Sequence, residues 1–315
     1  MLARIQQFTT LTLLVTALAW AAWYGSKGQP IWALAGALII LLGYALVLGI
    51  EFVLLAATHG TDPTPRASLA QLLRAWAGEV VTAPRVFCWR QPFRSNAQPD
   101  WLPPEARGRR GVVLVHGFVC NRGLWNPWMS RLRQSGVPHV AVSLEPVFGS
   151  IDECTPMLDQ AVRQVLHATG VPPVIVAHSM GGLVTRAWLR QGEHLGLIDR
   201  VVTIGSPHHG TWLARFASTL NGRQMQPEGP WLETLQRDEA DRPGGVPYDR
   251  FTCFYSHCDN IVFPPRLATL SGADNRHLTA VAHVDLAFHD SVFSEVLSYV
   301  TSAGSAAQRA WRPAQ

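Results

Sequence analysis

The sequence predicts an α/β fold, with a mainly parallel sheet covered by helices on both faces and two transmembrane helices ahead of it. Three observations predict this. Apolar, strand-like runs at about 111–116, 138–143, 173–178, 200–205, 250–256 and 277–282 alternate with helical stretches, the order that builds a parallel sheet. One run, Pro173-Val174-Ile175-Val176, passes into Ala177-His178-Ser179-Met180-Gly181-Gly182 and then Leu183-Val184-Thr185-Arg186-Ala187-Trp188. That order reads as strand, sharp turn, helix. Two long apolar runs, residues 8–24 and 31–57, stand apart at the N-terminus.

A bilayer span needs roughly 20 apolar residues. Residues 8–24 carry no charge, and 31–57 are interrupted only by Glu51. Trp20, Trp23, Tyr24 and Trp32 cluster around the connection at 25–30, as an aromatic belt does at a membrane interface. A cleaved signal peptide competes for the first run, with Ala17-Leu18-Ala19 as its site. A single arginine before the run and a full span after it argue against that reading. Glu51 lies near the end of its helix, where a snorkelling or interfacial carboxylate is expected. Arg4 precedes the first span, Arg66 and Arg74 follow the second, and only Lys27 lies between. The positive-inside rule then puts both ends on the cytoplasmic side of a bacterial-type inner membrane.

The chain divides accordingly. Residues 1–60 form the anchor, 61–110 a linker with an amphipathic helix, 111–303 the α/β domain and 304–315 a flexible tail. The linker helix, 68–83, has Leu69, Leu72, Leu73, Trp76 and Val80 at helical spacing and is expected to pack on the α/β domain. Residues 86–89 read as an early strand, and 290–300 as the closing helix. An insertion at 211–248 carries Trp212, Leu213, Phe216, Trp231, Leu232 and Leu235. It reads equally as a lid over a pocket or as a helical excursion sealing the sheet.

Composition excludes several classes. Charged residues are 15% and apolar ones 48%, and the net charge of +4 comes almost wholly from arginine. No Lys/Arg cluster interleaves with aromatics, so no nucleic acid is expected as a partner. The five cysteines are odd in number and form no C-x-x-C pair. Free thiols are expected rather than a disulfide framework or zinc site, although Cys253 and Cys258 could form one bridge. No cofactor or metal is expected.

The turn at Ser179 has the nucleophile-elbow pattern G-x-S-x-G, with Ala177 in the first position. A side chain at Gly181 would clash where the backbone doubles back. A serine hydroxyl needs an oriented base and donors for an oxyanion. The strand Gly111-Val112-Val113-Leu114-Val115 ends in His116-Gly117-Phe118. The N–H groups of Phe118 and Met180 are the expected donors, and His116 is expected to order the loop by hydrogen bonds. Asp259, just past the strand at 250–256, is the expected acid, with Asp238, Asp241 and Asp285 as rivals. His283, directly after the run 277–282, is the expected base, with His289 as runner-up; His277 lies at the wrong end of that run.

These motifs, with Asp259-Asn260-Ile261-Val262, His283-Val284-Asp285-Leu286 and Thr203-Ile204-Gly205-Ser206-Pro207-His208-His209-Gly210-Thr211, give the chain a resemblance. From about 111 to 300 it resembles the α/β-hydrolase superfamily, and within it the bacterial lipases and related lipid esterases. The resemblance implies the α/β-hydrolase fold with a triad of Ser179, Asp259 and His283. It also implies hydrolysis of carboxylic esters of lipids or other apolar acyl groups, with the bilayer as the other partner. An acyltransferase or thioesterase would use the same residues, and a silent scaffold would keep the fold alone. Oligomeric state is left open.

Overall fold

The computed structural model describes residues 1–192, 194–241 and 248–310. Helices α1 (Leu2–Ser26) and α2 (Pro30–Ala57) pack against each other as a hairpin. Pro30 opens α2, where its missing N–H leaves no bond unmade. Both helices are long and apolar enough to cross a membrane, by length and composition. The first begins well before residue 8, and its Leu2 and Gln6 are buried against the rest of the chain. Further along, the hairpin's apolar side chains face outward: Phe8, Leu18, Ile31 and Leu46 are each at least 70% exposed. A water-facing helix would turn its polar face there.

Ser68 starts helix α3 (Leu69–Pro84) with a capping box closed by Gln71. The helix packs on α2, where Trp76 Nε1 donates to Ala45 O at 2.9 Å and Tyr44 OH to Val80 O at 2.7 Å. It also packs on the α/β domain, as expected, through Glu79 and Thr82. The expected strand at 86–89 is instead a turn of π-helix, Arg85–Arg90, leading into α4 (Gln91–Phe93). A four-residue apolar run does not by itself separate strand from helix. Here helical propagation from α3 decides it.

The α/β domain alternates β1 (Val112–Val115), α5 (Asn126–Gln134), β2 (His139–Ala141), α6 (Thr155–Thr169), β3 (Val174–His178), α7 (Met180–Arg190) and β4 (Arg200–Ile204). There follow α8 (Leu220–Gln224), α9 (Pro230–Ala240), β5 (Phe251–Ser256), β6 (Asp274–Leu278), α10 (His283–Leu286) and α11 (Asp290–Ala310). All strand pairs are parallel, in the order β2-β1-β3-β4-β5-β6. Alternate side chains of the central strands feed two cores. Val113, Val115, Ile175 and Val201 pack with Leu158 and Leu183 on one face. Val112, Leu114, Val174 and Val202 pack with Met129 and Val296 on the other. Burial on both faces is why these strands read as unbroken apolar runs.

One expectation changes and one left open is decided. The last strand is Asp274–Leu278, not 277–282. As an edge strand it pairs only with β5, so polar Asp274, Asn275 and Arg276 suffice, and the apolar residues after it form a loop with Ala280 at φ 57°. Helix α11 runs to Ala310, and residues 311–315 of the expected tail lie outside the described residues. The described part of the insertion, 211–241, holds helices α8 and α9 and seals the domain, the second of its two open readings: Leu232 and Leu235 are buried in the core around α7. Residues 242–247 lie outside the described residues.

That seal has a charged pin. Arg186, 1% exposed, donates from Nε and Nη2 to Glu239 at 2.9 and 2.6 Å, and from Nη1 to His208 O at 2.6 Å. Tyr248 OH donates to Glu239 Oε2 at 2.7 Å. Removing one partner leaves a buried charge uncompensated, so Glu239→Ala should cost about 3–5 kcal/mol. Thermal melts in detergent should show a clearly lower midpoint; a wild-type midpoint would mean that the pair does not secure the insertion.

Candidate active site

Strand order sets the place of the site. The chain leaves β1 toward β2 on one side, and β3 continues toward β4 on the other. A crevice therefore opens beyond the carboxyl ends of β1 and β3. Ser179 stands there, between β3 and α7, at φ 56° and ψ −130°. A Cβ on Gly181 would lie 2.7 Å from Val115 O and 2.8 Å from His116 O, so the turn closes only without one. The Ser179 N–H donates to Ile204 O at 2.9 Å.

The loop after β1 is held by His116. Its Nε2 accepts from Leu144 N–H at 2.9 Å, so its Nδ1–H donates to Gly117 O at 2.9 Å. Burial pushes this imidazole down to about 4, which keeps it neutral. His116 orders the loop, as expected. Met180 is the first residue of α7, so its N–H has no acceptor within the helix. Phe118 lies in the loop and lines the same cavity as Ser179. Cys120 lines it too, but burial pushes its thiol up to about 12, far from a thiolate nucleophile.

Asp259 and His283 meet across 24 residues. His283 Nδ1 lies 2.9 Å from Asp259 Oδ2 and 3.0 Å from Oδ1. Asp259 Oδ1 also accepts from Ile261 and Val262 N–H at 2.9 and 2.8 Å, which fixes the carboxylate. Gly205, at φ 54°, leaves room for the pair: a Cβ there would lie 2.8 Å from Asp259 Oδ2. The His283 imidazole is fully buried, which opposes its charge. Asp259, with Glu79 and Glu51 further off, outweighs burial and holds it above its ordinary value of 6.5. The rivals are engaged elsewhere. Asp238 faces Arg190, Asp285 accepts from Thr82, and Asp241 closes α9. His277 bonds His257, and His289 accepts from Ser291 N–H at the start of α11.

Ser179 and His283 share a cavity of about 600 Å³. Among the described residues its walls come from α1, α2, α3 and the π-turn, and none from 211–241. Among the described residues the hairpin, and not 211–241, roofs the cavity. Three polar residues that sequence reasoning left without a role line its floor. Glu51 accepts from Asn260 Nδ2 at 2.6 Å, while Asn260 Oδ1 accepts from His283 N–H at 3.1 Å. Glu51 therefore faces the site and is not a snorkelling carboxylate. Glu79, 1% exposed, accepts from Val284 and Asp285 N–H, both at 3.1 Å. Burial pushes its carboxyl up to about 7. A lone acid in an apolar run and an acid on the inner face of an amphipathic helix were the available signals. Among the described residues no group of three or more His, Cys, Asp or Glu is set to hold a metal ion. All five cysteines are free.

A parallel sheet with a serine on a strained turn after a central strand, and a buried Asp–His pair beyond the later strands, is the arrangement of an α/β hydrolase. The sequence matches the alpha/beta hydrolase family over residues 112–314, and the chain belongs to that family. Among solved structures it is similar to the mature form of lipase BlEst2 from Bacillus licheniformis. That match has 16% identity and a TM-score of 0.53, over 61% of this chain and 92% of the lipase. It is similar also to lipase B of Aspergillus fumigatus, with 19% identity and a TM-score of 0.52. Here the match covers 62% of this chain and 53% of the lipase, so the chain spans about half of that protein. At these identities the likeness is one of fold.

Proposed function

We propose that this protein is a membrane-anchored serine hydrolase that cleaves carboxylic esters of lipids or other apolar acyl groups. The observation that carries the reading is the shared cavity: Ser179 on its strained turn and His283, whose Nδ1 lies 2.9 Å from Asp259, line one largely apolar chamber. The lipases of similar fold agree with it. In the proposed reaction Ser179 Oγ attacks the acyl carbonyl. His283 Nδ1 is held by Asp259, which leaves Nε2 to take the serine proton. The N–H groups of Phe118 and Met180 receive the oxyanion. His283 then returns the proton to the leaving alcohol, and water releases the acyl-enzyme by the same steps in reverse roles.

A fluorophosphonate probe tests the nucleophile: it should label the wild type and leave Ser179→Ala unlabelled. Equal labelling would remove Ser179 from the role. His283→Ala should lose ester turnover by about 10⁴ or more, and His289→Ala far less; the reverse ranking would exchange the two histidines.

The acid limb of kcat/KM reports His283, which is active when neutral. Its imidazole is held above 6.5, so turnover of a short soluble ester should fall as pH drops through a value above 6.5. Glu79 contributes to that hold. Glu79→Gln removes its charge and should move the limb to lower pH. A limb that stays in place would show that the carboxyl does not reach the imidazole electrostatically.

Anchoring rests on α1 and α2. Both should keep the protein in the membrane fraction through a carbonate wash, whereas attachment by charge alone is screened beyond about 8 Å at physiological salt. We place both chain ends on the cytoplasmic side of a bacterial-type inner membrane, from Arg4, Arg66 and Arg74 against Lys27. A reporter fused after Gln315 should then be active in the cytoplasm; activity only on the other side would invert the orientation and leave the anchoring intact.

A further inference from the structure

The cavity above Ser179 is not a closed pocket of the α/β domain. Its walls are the hairpin: Thr10, Leu13 and Leu14 from α1, and Leu41, Tyr44 and Leu48 from α2. Its ionisable and amide side chains Glu51, Glu79 and Asn260 are gathered near His283. The side chains above are mostly apolar, with Thr10 and Tyr44 the hydroxyl-bearing ones among them. From Glu51 to Leu41 is ten residues of helix, about 15 Å at 1.5 Å per residue. The hydrocarbon core is about 30 Å thick, so the walls reach through about one leaflet.

The outside of these walls also belongs in hydrocarbon. Leu46, Ile50 and Val53 of α2 and Val15 and Leu18 of α1 are exposed. Helix α3 adds a second apolar surface at the same depth. It climbs beside α2, since Trp76 bonds Ala45 and Val80 bonds Tyr44. Its outer side carries Leu69, Leu73 and Val81, continued by Trp89 and Phe93, all exposed and spaced by multiples of four. Such a stripe buries in the boundary between headgroups and acyl chains. The catalytic floor then sits at the level where a bilayer lipid carries its ester bonds. The apolar walls rise in the direction its chains already point.

We propose that α1, α2 and α3 form an acyl-chain slot, which takes one chain of a bilayer lipid sideways from the leaflet on the catalytic side. The inference rests on the serine-hydrolase reading and adds to it. The hairpin is part of the substrate site, and chain-length specificity is set by Leu13, Leu14, Leu41 and Leu48. The ester reaches Ser179 without leaving the interface, and the chain never crosses water. The insertion at 211–248 has no part in this recognition.

Two measurements test it. The first is kcat/KM over a series of butanoyl to hexadecanoyl esters, with the full-length protein in detergent. The wild type should gain severalfold for every two carbons until the slot is full, because each methylene leaves water. Leu14→Trp and Leu48→Trp should shorten the best chain by several carbons and lower the hexadecanoyl-to-butanoyl ratio at least tenfold. Leu18→Trp and Leu46→Trp, on the outward faces, should keep the wild-type ratio. A wild-type ratio in the slot variants would overturn the proposal. The second measurement needs no variant. A long-chain fluorophosphonate with a photoreactive tail, bound to the wild type in liposomes, should crosslink within 10–14 or 41–48. Crosslinks confined to 211–241 would overturn the slot while the labelled serine kept the hydrolase reading. Absence of any labelling or turnover would remove that reading and the slot with it.

Discussion

A serine held at φ 56° and ψ −130° is the constraint on which the rest of this structure depends. A non-glycine residue in such a conformation costs on the order of 1–3 kcal/mol and persists only when its surroundings leave no alternative. The sheet supplies that compulsion. β3 is central, flanked by β1 and β4, and its residues are fully buried on both faces. The strand cannot slip, and α7 must start immediately to cover it. The turn between them is clamped by Ser179 N–H on Ile204 O and by Gly181 against the end of β1. The position of this serine, at the strand end and on the wall of the cavity, is thus a consequence of parallel-sheet packing.

The second half of the site is secured from the opposite direction. Asp259 approaches His283 from the end of β5, and its carboxylate is fixed by two N–H groups of its own loop. The segment carrying His283 is gripped from the N-terminal side by Glu79, which accepts from Val284 and Asp285 N–H, and by Thr82 on Asp285. Glu51 reaches the same segment through Asn260. The hairpin and α3 are therefore built into the site and do not merely precede the α/β domain. A domain cut at residue 111 would lose the roof of its cavity and two of the carboxylates around its imidazole.

What the sequence disclosed follows from which physics is local. The central strands were legible because burial on both faces leaves only apolar residues in them. The elbow was legible because its steric demand is written in adjacent residues from Ala177 to Gly182. His116 could be assigned to loop ordering because a strand end fixes its surroundings. The edge strand was misplaced because backbone pairing alone holds Asp274, Asn275 and Arg276, and alternation carries no signal there. The roof stayed open for a different reason. The insertion at 211–248 and the hairpin are both apolar, and only the folded chain shows that Leu232 and Leu235 face the core while Leu14 and Leu48 face Ser179's cavity. Glu51 and Glu79 had no visible partners in sequence, since Asn260 and Val284 lie more than 200 residues away.

The charge around His283 explains why so apolar a chamber can house proton transfer. The imidazole is buried, and burial alone would keep it neutral and make an imidazolium costly. Asp259 offsets that cost directly, at 2.9 Å. Glu79 and Glu51 add to the field, so the positive charge that arises in the proposed transfer is met by three carboxylates. His178, its ring tilted by 43° with the centroid 4.7 Å from that of His283, is kept neutral by its own burial and by that neighbour, so it does not compete for the proton. Its Nε2–H donates instead to the His283 carbonyl at 3.1 Å and fixes the segment further. An acyl chain filling the slot would exclude water from this cluster and strengthen each of these interactions, because fewer solvent dipoles screen them. Substrate length and proton-transfer chemistry are then coupled through one volume: the longer the chain that fills it, the drier the imidazole that must accept the proton.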